Sequence, residues 1–301
     1  MQGSDNGFIK VLKYNEQDEV VDPEFNPDSH YEELTAFYDA EFVDNIESVI
    51  YDGVDVSDDA QKYAYNFLVD LMKKAKKAHT YASEHESEKP EEKNGLQTKQ
   101  LVFPGNKAGL SLIISKEANS KNKSIEAIFP FIKDGFEYPC RILSVMQADP
   151  DYAFEGQIEA FVDDEENLVL TFYDINYLDN KALYKPDGEY KFVLTGLAHS
   201  VEIIENEDLI SLESADNTVK SEKYNLNTVV REIEEYSENV NGSKVWGLIV
   251  VLGFMPDGED IPLKLYLTEK ALNDSPLPNV GDNIAVSLSL HGYLCGIEAY
   301  S

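Results

Sequence analysis

Residues 168–197 read LVLTFYDINYLDNKALYKPDGEYKFVLTGL, and residues 261–290 read IPLKLYLTEKALNDSPLPNVGDNIAVSLSL. Laid over one another, the two stretches keep a single spacing. Leu168 meets Ile261, Leu170 meets Leu263, Phe172 meets Leu265 and Tyr173 meets Tyr266. Further on, Asn180 meets Asn273, Gly188 meets Gly281, Glu189 meets Asp282, Val193 meets Val286 and Leu197 meets Leu290, all 93 positions apart. Upstream the spacing becomes 91, pairing Gly156, Gln157 and Ile158 with Gly247, Leu248 and Ile249, and Ile142 with Ile233. The change falls between DDEEN (163–167) and MPDGED (255–260), both of turn composition, where hairpins tolerate insertion. An ungapped match running across a glycine–acid pair reads as an internal duplication rather than a chance likeness of two β-rich segments.

Each copy shows five short runs of period-two alternation, the mark of half-buried strands. In the first copy they lie near residues 140–146, 156–162, 168–174, 190–194 and 199–204, with helical or turn character at 178–184. Three strands, a helix and two strands in about seventy residues is the order and size of an OB-like small barrel. Another small barrel or a half-open sandwich is the alternative. The acidic stretch 205–216 then reads as a tether between copies.

Working outward, residues 14–60 hold sixteen Asp or Glu and no Lys or Arg. Ser29-His30-Tyr31-Glu32 matches a capping box, in which hydroxyl and carboxylate each satisfy a free backbone N–H. Tyr31, Leu34, Tyr38, Phe42, Ile46 and Val49 follow at helical spacing, and Asp52-Gly53 ends the run. A second helix is expected from Ser57, with Asp58 and Asp59 in its first turn and Lys73, Lys74, Lys76 and Lys77 late in it, both of favourable sign for the helix dipole. Its stripe is Ala60, Ala64, Phe67, Leu68, Leu71, Ala75 and Ala78. HESEKPEEKNG (85–95) reads as a loop, followed by β-like runs at 100–103, 110–115 and 125–131. The fold class expected is therefore α+β: an acidic, mainly helical region over 1–95, then two tandem all-β OB-like barrels. The first barrel lies with its leading β segment in 96–206, the second in 221–301.

With 57 acidic and 25 basic residues, the formal charge is −32, and only Arg141 and Arg231 are arginines. Nucleic-acid binding needs a basic footprint, and arginine is the residue that forks onto phosphate and guanine. Direct contact with nucleic acid or an anionic membrane is disfavoured. No run approaches the ~18 apolar residues that span a bilayer. Two cysteines, Cys140 and Cys295, cannot build a disulfide framework, which fits a reduced, cytoplasmic protein.

LDNKALYKPDGEYKFVLTGLAHSVEI (178–203), with the ending GD-x-I-x-x-x-x-x-L-x-G at 281–292, resembles a pattern in uncharacterised bacterial and phage proteins with tandem OB-like barrels. The resemblance covers the C-terminal half and implies a shared fold, with no activity attached.

The acid-only stretch is the leading candidate site. Its plain reading is a solvated face that confers solubility. Its functional reading is an electronegative surface, carried by Glu33, Asp39, Glu41, Asp44 and Glu47, for a basic protein that handles nucleic acid. Rows of carboxylates imitate the spacing of phosphates, as in an immunity or anti-defence inhibitor. Asp52, Asp55, Asp58 and Asp59 lack calcium-loop spacing. A second class is a binding module for single-stranded nucleic acid or oligosaccharide. Tyr173 and Tyr266 could be outward stacking contacts on the face opposite Phe172, with Lys181, Lys185 and Lys191 beside the first copy, although ordinary packing is the favoured reading of these aromatics. Asp274, Pro278 and Ile284 replace those lysines in the second copy. A third is a hydrolase with a dispersed carboxylate site. No Walker A, G-x-S-x-G, H-E-x-x-H or CxxC motif is present. No catalytic residue, metal ligand or cofactor is expected; His79 and His85 stand on different helix faces. His199 and His291 are expected as packing near the fourth-to-fifth strand turns, and the acids of 163–166 and 257–260 as hairpin tips. Homo-oligomerisation stays open.

Overall fold

The computed structural model of the chain describes residues 13–14, 20–21, 33–52, 55, 57–74, 76–77, 92–93, 96–103, 108–117, 124–147, 155–162, 168–185, 188–205, 210–215, 222–240, 243–254 and 258–297. The chain is α+β, with helices near the N-terminus and a largely β remainder. β1 (Lys13–Tyr14) pairs with β2 (Val20–Val21). Two helices follow, α1 (Ala40–Tyr51) and α2 (Asp59–Lys74). A small antiparallel sheet comprises β3 (Lys76–Lys77), β4 (Glu92–Lys93), β5 (Leu96–Phe103), β6 (Ala108–Glu117) and β7 (Ser124–Ile132). The large sheet begins with β8 (Phe136–Gln147), β9 (Gly156–Phe161) and β10 (Val169–Asp174). After α3 (Tyr177–Asn180) and a 3-10 turn come β11 (Glu189–Ile204) and β12 (Ser211–Ser214). It ends with β13 (Lys223–Val240), β14 (Ser243–Phe254), β15 (Asp260–Thr268), α4 (Glu269–Leu272) and β16 (Asn283–Ile297).

The expected helix from the capping box is interrupted. Residues 29–32 lie outside the described residues, and 33–38 form a single turn closed by Tyr38 N–H on the Leu34 carbonyl at 2.9 Å. Asp39 then takes an extended backbone (ψ 143°) and opens α1. The cause is tertiary. The Ala36 carbonyl, which an unbroken helix would offer to residue 40, instead accepts the Thr268 hydroxyl at 2.6 Å. Phe37 is thereby set against Tyr266, ring centroids 6.0 Å apart. α2 starts later than the expected Ser57, with the Asp58 carboxylate as its cap accepting the Ala60 N–H at 2.8 Å, and it ends at Lys74, so that Lys76 and Lys77 lie in β3 and not in the helix. It buries Ala64, Leu68 and Leu71.

The large sheet orders its nine strands β12-β13-β14-β15-β11-β16-β10-β9-β8, with β13 also on β16 and β11 also on β8. Those extra pairings close two circuits. Circuit one runs β8-β9-β10-β16-β11 and back to β8, with β10 parallel to β16 through Tyr173↔His291. Circuit two runs β13-β14-β15-β11-β16 and back to β13, with β15 parallel to β11 through Tyr266↔Leu197. The two share β11 and β16. Residues 189–194 of β11 pair with β8 and 195–197 with β15. Residues 283–289 of β16 pair with β13 and 291–292 with β10.

Three expectations change here. The fourth and fifth runs are one strand, β11, because the alternation continues through Leu197–Ala198 with only a bulge between Ala198 and Ser200. The stretch expected as a tether contains β12, paired with β13. Glu92–Lys93, inside the expected loop, pairs with β5.

The spacing of 91 also shifts. Ile158 pairs with Phe172 and Leu248 with Leu265, so Leu248, not Ile249, takes the place corresponding to Ile158. Strand side chains alternate faces, so one residue of slip exchanges core for exterior. Ile158 and Leu248 are both fully buried in one core cluster. In β8 and β13 the corresponding positions are Ile142 and Val230, each at the edge of a bulge, Ile142/Ser144 and Val230/Glu232. Burying each such aliphatic chain contributes roughly 1.5–3 kcal/mol.

The small sheet braces this core. One face (Leu110, Leu112, Ile114, Ile128, Ile132) packs with the helices and with Leu197, Val245 and Tyr266. The other (Ile113, Ala127, Phe129, Phe131) covers Tyr173, Ile175, Leu178 and Tyr293 of circuit one. No helix among the described residues is long and apolar enough to cross a membrane.

Candidate functional site

α1 carries most of the proposed acidic row. Asp39, Glu41 and Asp44 are exposed and Glu47 is half-buried. Asp39 receives Lys270 Nζ at 2.5 Å. Asp52, Asp55, Asp58 and Asp59 continue the exposed acids into the start of α2. The Asp55 carboxyl sits below the usual range because the Ser57 hydroxyl and N–H both donate to it. Glu33 leaves the row. It is fully buried, its Oε2 3.1 Å from His291 Nε2.

Tyr173 and Tyr266 do face away from Phe172 and the circuit interior, as alternation demands. Neither is an outward contact, because the exterior is covered. Tyr173 packs edge-on against Phe129 at 5.3 Å. Tyr266 stacks on Tyr236 at 5.7 Å. The sequence does not show that 33–38 and β7 fold onto that exterior. Lys181 is half-buried in the turn after α3, and Lys185 and Lys191 are exposed.

Around Tyr173 the chain gathers carboxyls from distant segments. Glu33, Glu155, Asp174 and Glu222 are each 3 % exposed or less. Burial first, then the charges of Glu155, Glu33, Asp174 and Glu222, push the Tyr173 hydroxyl well above its ordinary pKa. Gln157 Nε2 donates to Glu222, and the Ser144 hydroxyl donates to Glu159 at 2.9 Å. The His291 ring lies 6.1 Å from that of Tyr173. His291 and His199 are both mid-strand rather than at turns, and His199 Nε2 lies 2.8 Å from Ser289 Oγ. Among the described residues, no group of three or more His, Cys, Asp or Glu is arranged to hold a metal ion. The tip acids 163–166 and the histidines 79 and 85 lie outside the described residues. At the second tip, Gly258 takes φ +88°, and Asp260 pairs with Arg231 at 2.7 Å.

The matching exterior of circuit two is polar in a different way. Lys264 Nζ reaches Glu234 at 3.0 Å and Asp134 at 3.3 Å, while the Tyr236 hydroxyl donates to Asp134 at 2.7 Å. Inside circuit one, Asp174 accepts the Tyr184 hydroxyl and the Asn176 N–H. Burial raises its pKa to about 7 against those hydrogen bonds. The positions 93 residues on are Leu267 and Leu277, both apolar.

The chain matches no family model, no curated protein and no solved structure. Nothing in the spacing of Glu155, Glu222 and Asp174 marks them in the sequence. Only the substitution of Asp174 by Leu267 between the aligned stretches carries such a signal.

Proposed function

We propose that this is a non-catalytic, intracellular protein-binding protein whose acidic helical face takes a basic, nucleic-acid-handling partner. The observation that carries the reading is the exposed run Asp39, Glu41, Asp44, Asp52, Asp55, Asp58 and Asp59 on a chain of formal charge −32. A field of one sign speeds encounter with a basic surface and weakens with salt. In this reading each circuit is an OB-like small barrel from a duplicated unit, serving as the scaffold for that face. The test is capture of a basic protein by the purified chain at low salt. Replacing Asp39, Glu41, Asp44 and Glu47 by their amides should abolish it; unchanged capture would overturn the reading. Glu33 is left intact because it is buried.

A second reading, a hydrolase with a dispersed carboxylate site, draws on the convergence of Glu33, Glu155 and Glu222 on Tyr173. Catalytic centres are places where ionisable groups are gathered out of water. Screening against ester, phosphoester and glycoside substrates, with and without divalent metal, tests it. Activity that is lost in Glu222→Gln would favour it over the binding reading.

A further inference from the structure

Two contacts of the fold meet at His291. Its backbone pairs with Tyr173 to close circuit one, while its Nε2 lies 3.1 Å from Glu33 Oε2. Glu33 begins a short strap, residues 33–39, that lies against β15, α4 and β16 and runs directly into α1. Three further contacts hold the strap. The Ala36 carbonyl accepts the Thr268 hydroxyl at 2.6 Å, Phe37 rests on Tyr266, and Asp39 accepts from Lys270 Nζ at 2.5 Å. The first two carry no charge, and the third lies at the surface, where an ion pair contributes little. The Glu33–His291 pair differs from them: it is ionisable and fully out of water.

Its surroundings are rich in acid. The His291 ring lies 6.1 Å from that of Tyr173, on whose hydroxyl burial and then Glu155, Glu33, Asp174 and Glu222 act. Glu155 comes from the segment before β9, Asp174 from β10, and Glu222 from the segment before β13, its carbonyl accepting the Leu290 N–H at 2.8 Å. β11 sets the uncharged Thr195 opposite His291, and β7 covers Tyr173 with Phe129. Of basic groups, Lys223 stands half-buried opposite Ser289, Lys133 lies over the Tyr293 ring, and His199 Nε2 is 2.8 Å from Ser289 Oγ. His291 Nδ1 has no hydrogen-bond partner among the described residues, so the ring is tied through Nε2 alone.

The proton count of the pair decides how it responds to pH. With two ring protons on His291, the pair is neutral overall. With one, Nε2 still donates, but a full negative charge stays buried near the acids that act on Tyr173. Leaving the sheet returns Glu33 to water, where that charge is hydrated. Loss of the second proton therefore costs the docked strap more than the released one, and by linkage a rise in pH favours release. Docking is present in full below the ordinary histidine range, about 6.5, and fades as pH rises above it.

We propose that Glu33 and His291 form a proton-dependent latch, which docks the strap 33–39 on the large sheet at mildly acid pH and releases it as pH rises. Because α1 follows the strap, release frees that helix from its anchor on β16. The latch stands whether or not the acidic face of α1 takes a basic partner.

Hydrogen exchange of the full chain, corrected for the intrinsic pH dependence of amide exchange, reads the latch at Phe37 and Tyr38, whose N–H groups donate to the Leu34 carbonyl. Amides of β14 serve as the reference for opening of the whole chain. Relative to β14, protection of Phe37 and Tyr38 should fall between about pH 6.5 and 8.5, by up to tenfold per pH unit, the limit for one proton. Glu33→Gln buries no charge and should stay protected at the alkaline end, where the parent chain opens. His291→Gln should flatten the profile, whereas His199→Gln and Lys223→Gln should keep the parent slope. A parent profile that is flat overturns the latch, as does a slope that survives His291→Gln or vanishes in His199→Gln. Glu33→Gln more open than the parent at every pH overturns it too, since that is the mark of a merely structural contact. Should either latch variant fail to fold, the parent profile and its survival or loss in His199→Gln decide.

Discussion

His291 Nε2 stands 3.1 Å from Glu33 Oε2 with both side chains fully buried, although 258 positions separate them. The pair joins the turn before α1 to the centre of β16. Truncating one partner leaves the other buried without its hydrogen bond, which costs about 1–3 kcal/mol. Glu33→Ala and His291→Ala should each lose about that much in urea unfolding, and the double variant clearly less than their sum. Additive losses would show the contact to be uncoupled.

Asp174 gives the stability a dependence on pH. Its folded pKa, about 7, lies above its ordinary value of 3.8. Between those values the folded chain holds a proton that the unfolded chain has released, so this contribution is present at acid pH and is lost as pH rises toward 7. The slope is at most about 1.4 kcal/mol per pH unit. Asp174→Asn should flatten the urea midpoint between pH 4.5 and 7 relative to the parent chain. An unchanged slope would place the dependence elsewhere.

The one-residue shift of β14 makes a side-chain prediction. Leu248 is fully buried opposite Leu265, whereas Ile249 is half-buried opposite Lys264. Leu248→Ala should cost about 2–5 kcal/mol, and Ile249→Ala distinctly less. The reverse order would restore the spacing of 91 read from the sequence.

Two glycines of the large sheet should respond differently to alanine. A Cβ on Gly292 would fall 2.3 Å from the Phe172 ring, itself 4.9 Å from Phe192 by centroid. On Gly253 the nearest atom is Ile261 Cδ1, at an ordinary 3.7 Å. Gly292→Ala should lower the melting temperature through about 1–3 kcal/mol of overpacking, while Gly253→Ala stays within about 0.5 kcal/mol.

Strands and short helices were legible because alternation and turn chemistry are local. β8, β9 and β10, the α3 turn and the Gly258 hairpin follow from residues within a few positions of one another. The break at Asp39 was not legible, since it depends on Thr268 taking the Ala36 carbonyl. Packing is the favoured reading of Tyr173 and Tyr266, but what covers them was hidden for the same reason: a tyrosine on the outer face of a strand reads alike whether water or Phe129 lies over it. Glu33 looked like one acid in a row of sixteen, and only the position of His291 sets it apart.

The sharing of β11 and β16 has a consequence for how the chain is made. Circuit one lacks a strand until His291 and Gly292 arrive beside Tyr173 and Asp174, more than a hundred residues after β10 has left the ribosome. Until then β10 has an open edge next to an apolar run, the situation in which nascent chains pair wrongly or recruit chaperones. Both circuits therefore complete together, when β16 threads between β11 and β13. Stalling translation before residue 291 should leave β8, β9 and β10 protease-sensitive, however long they wait.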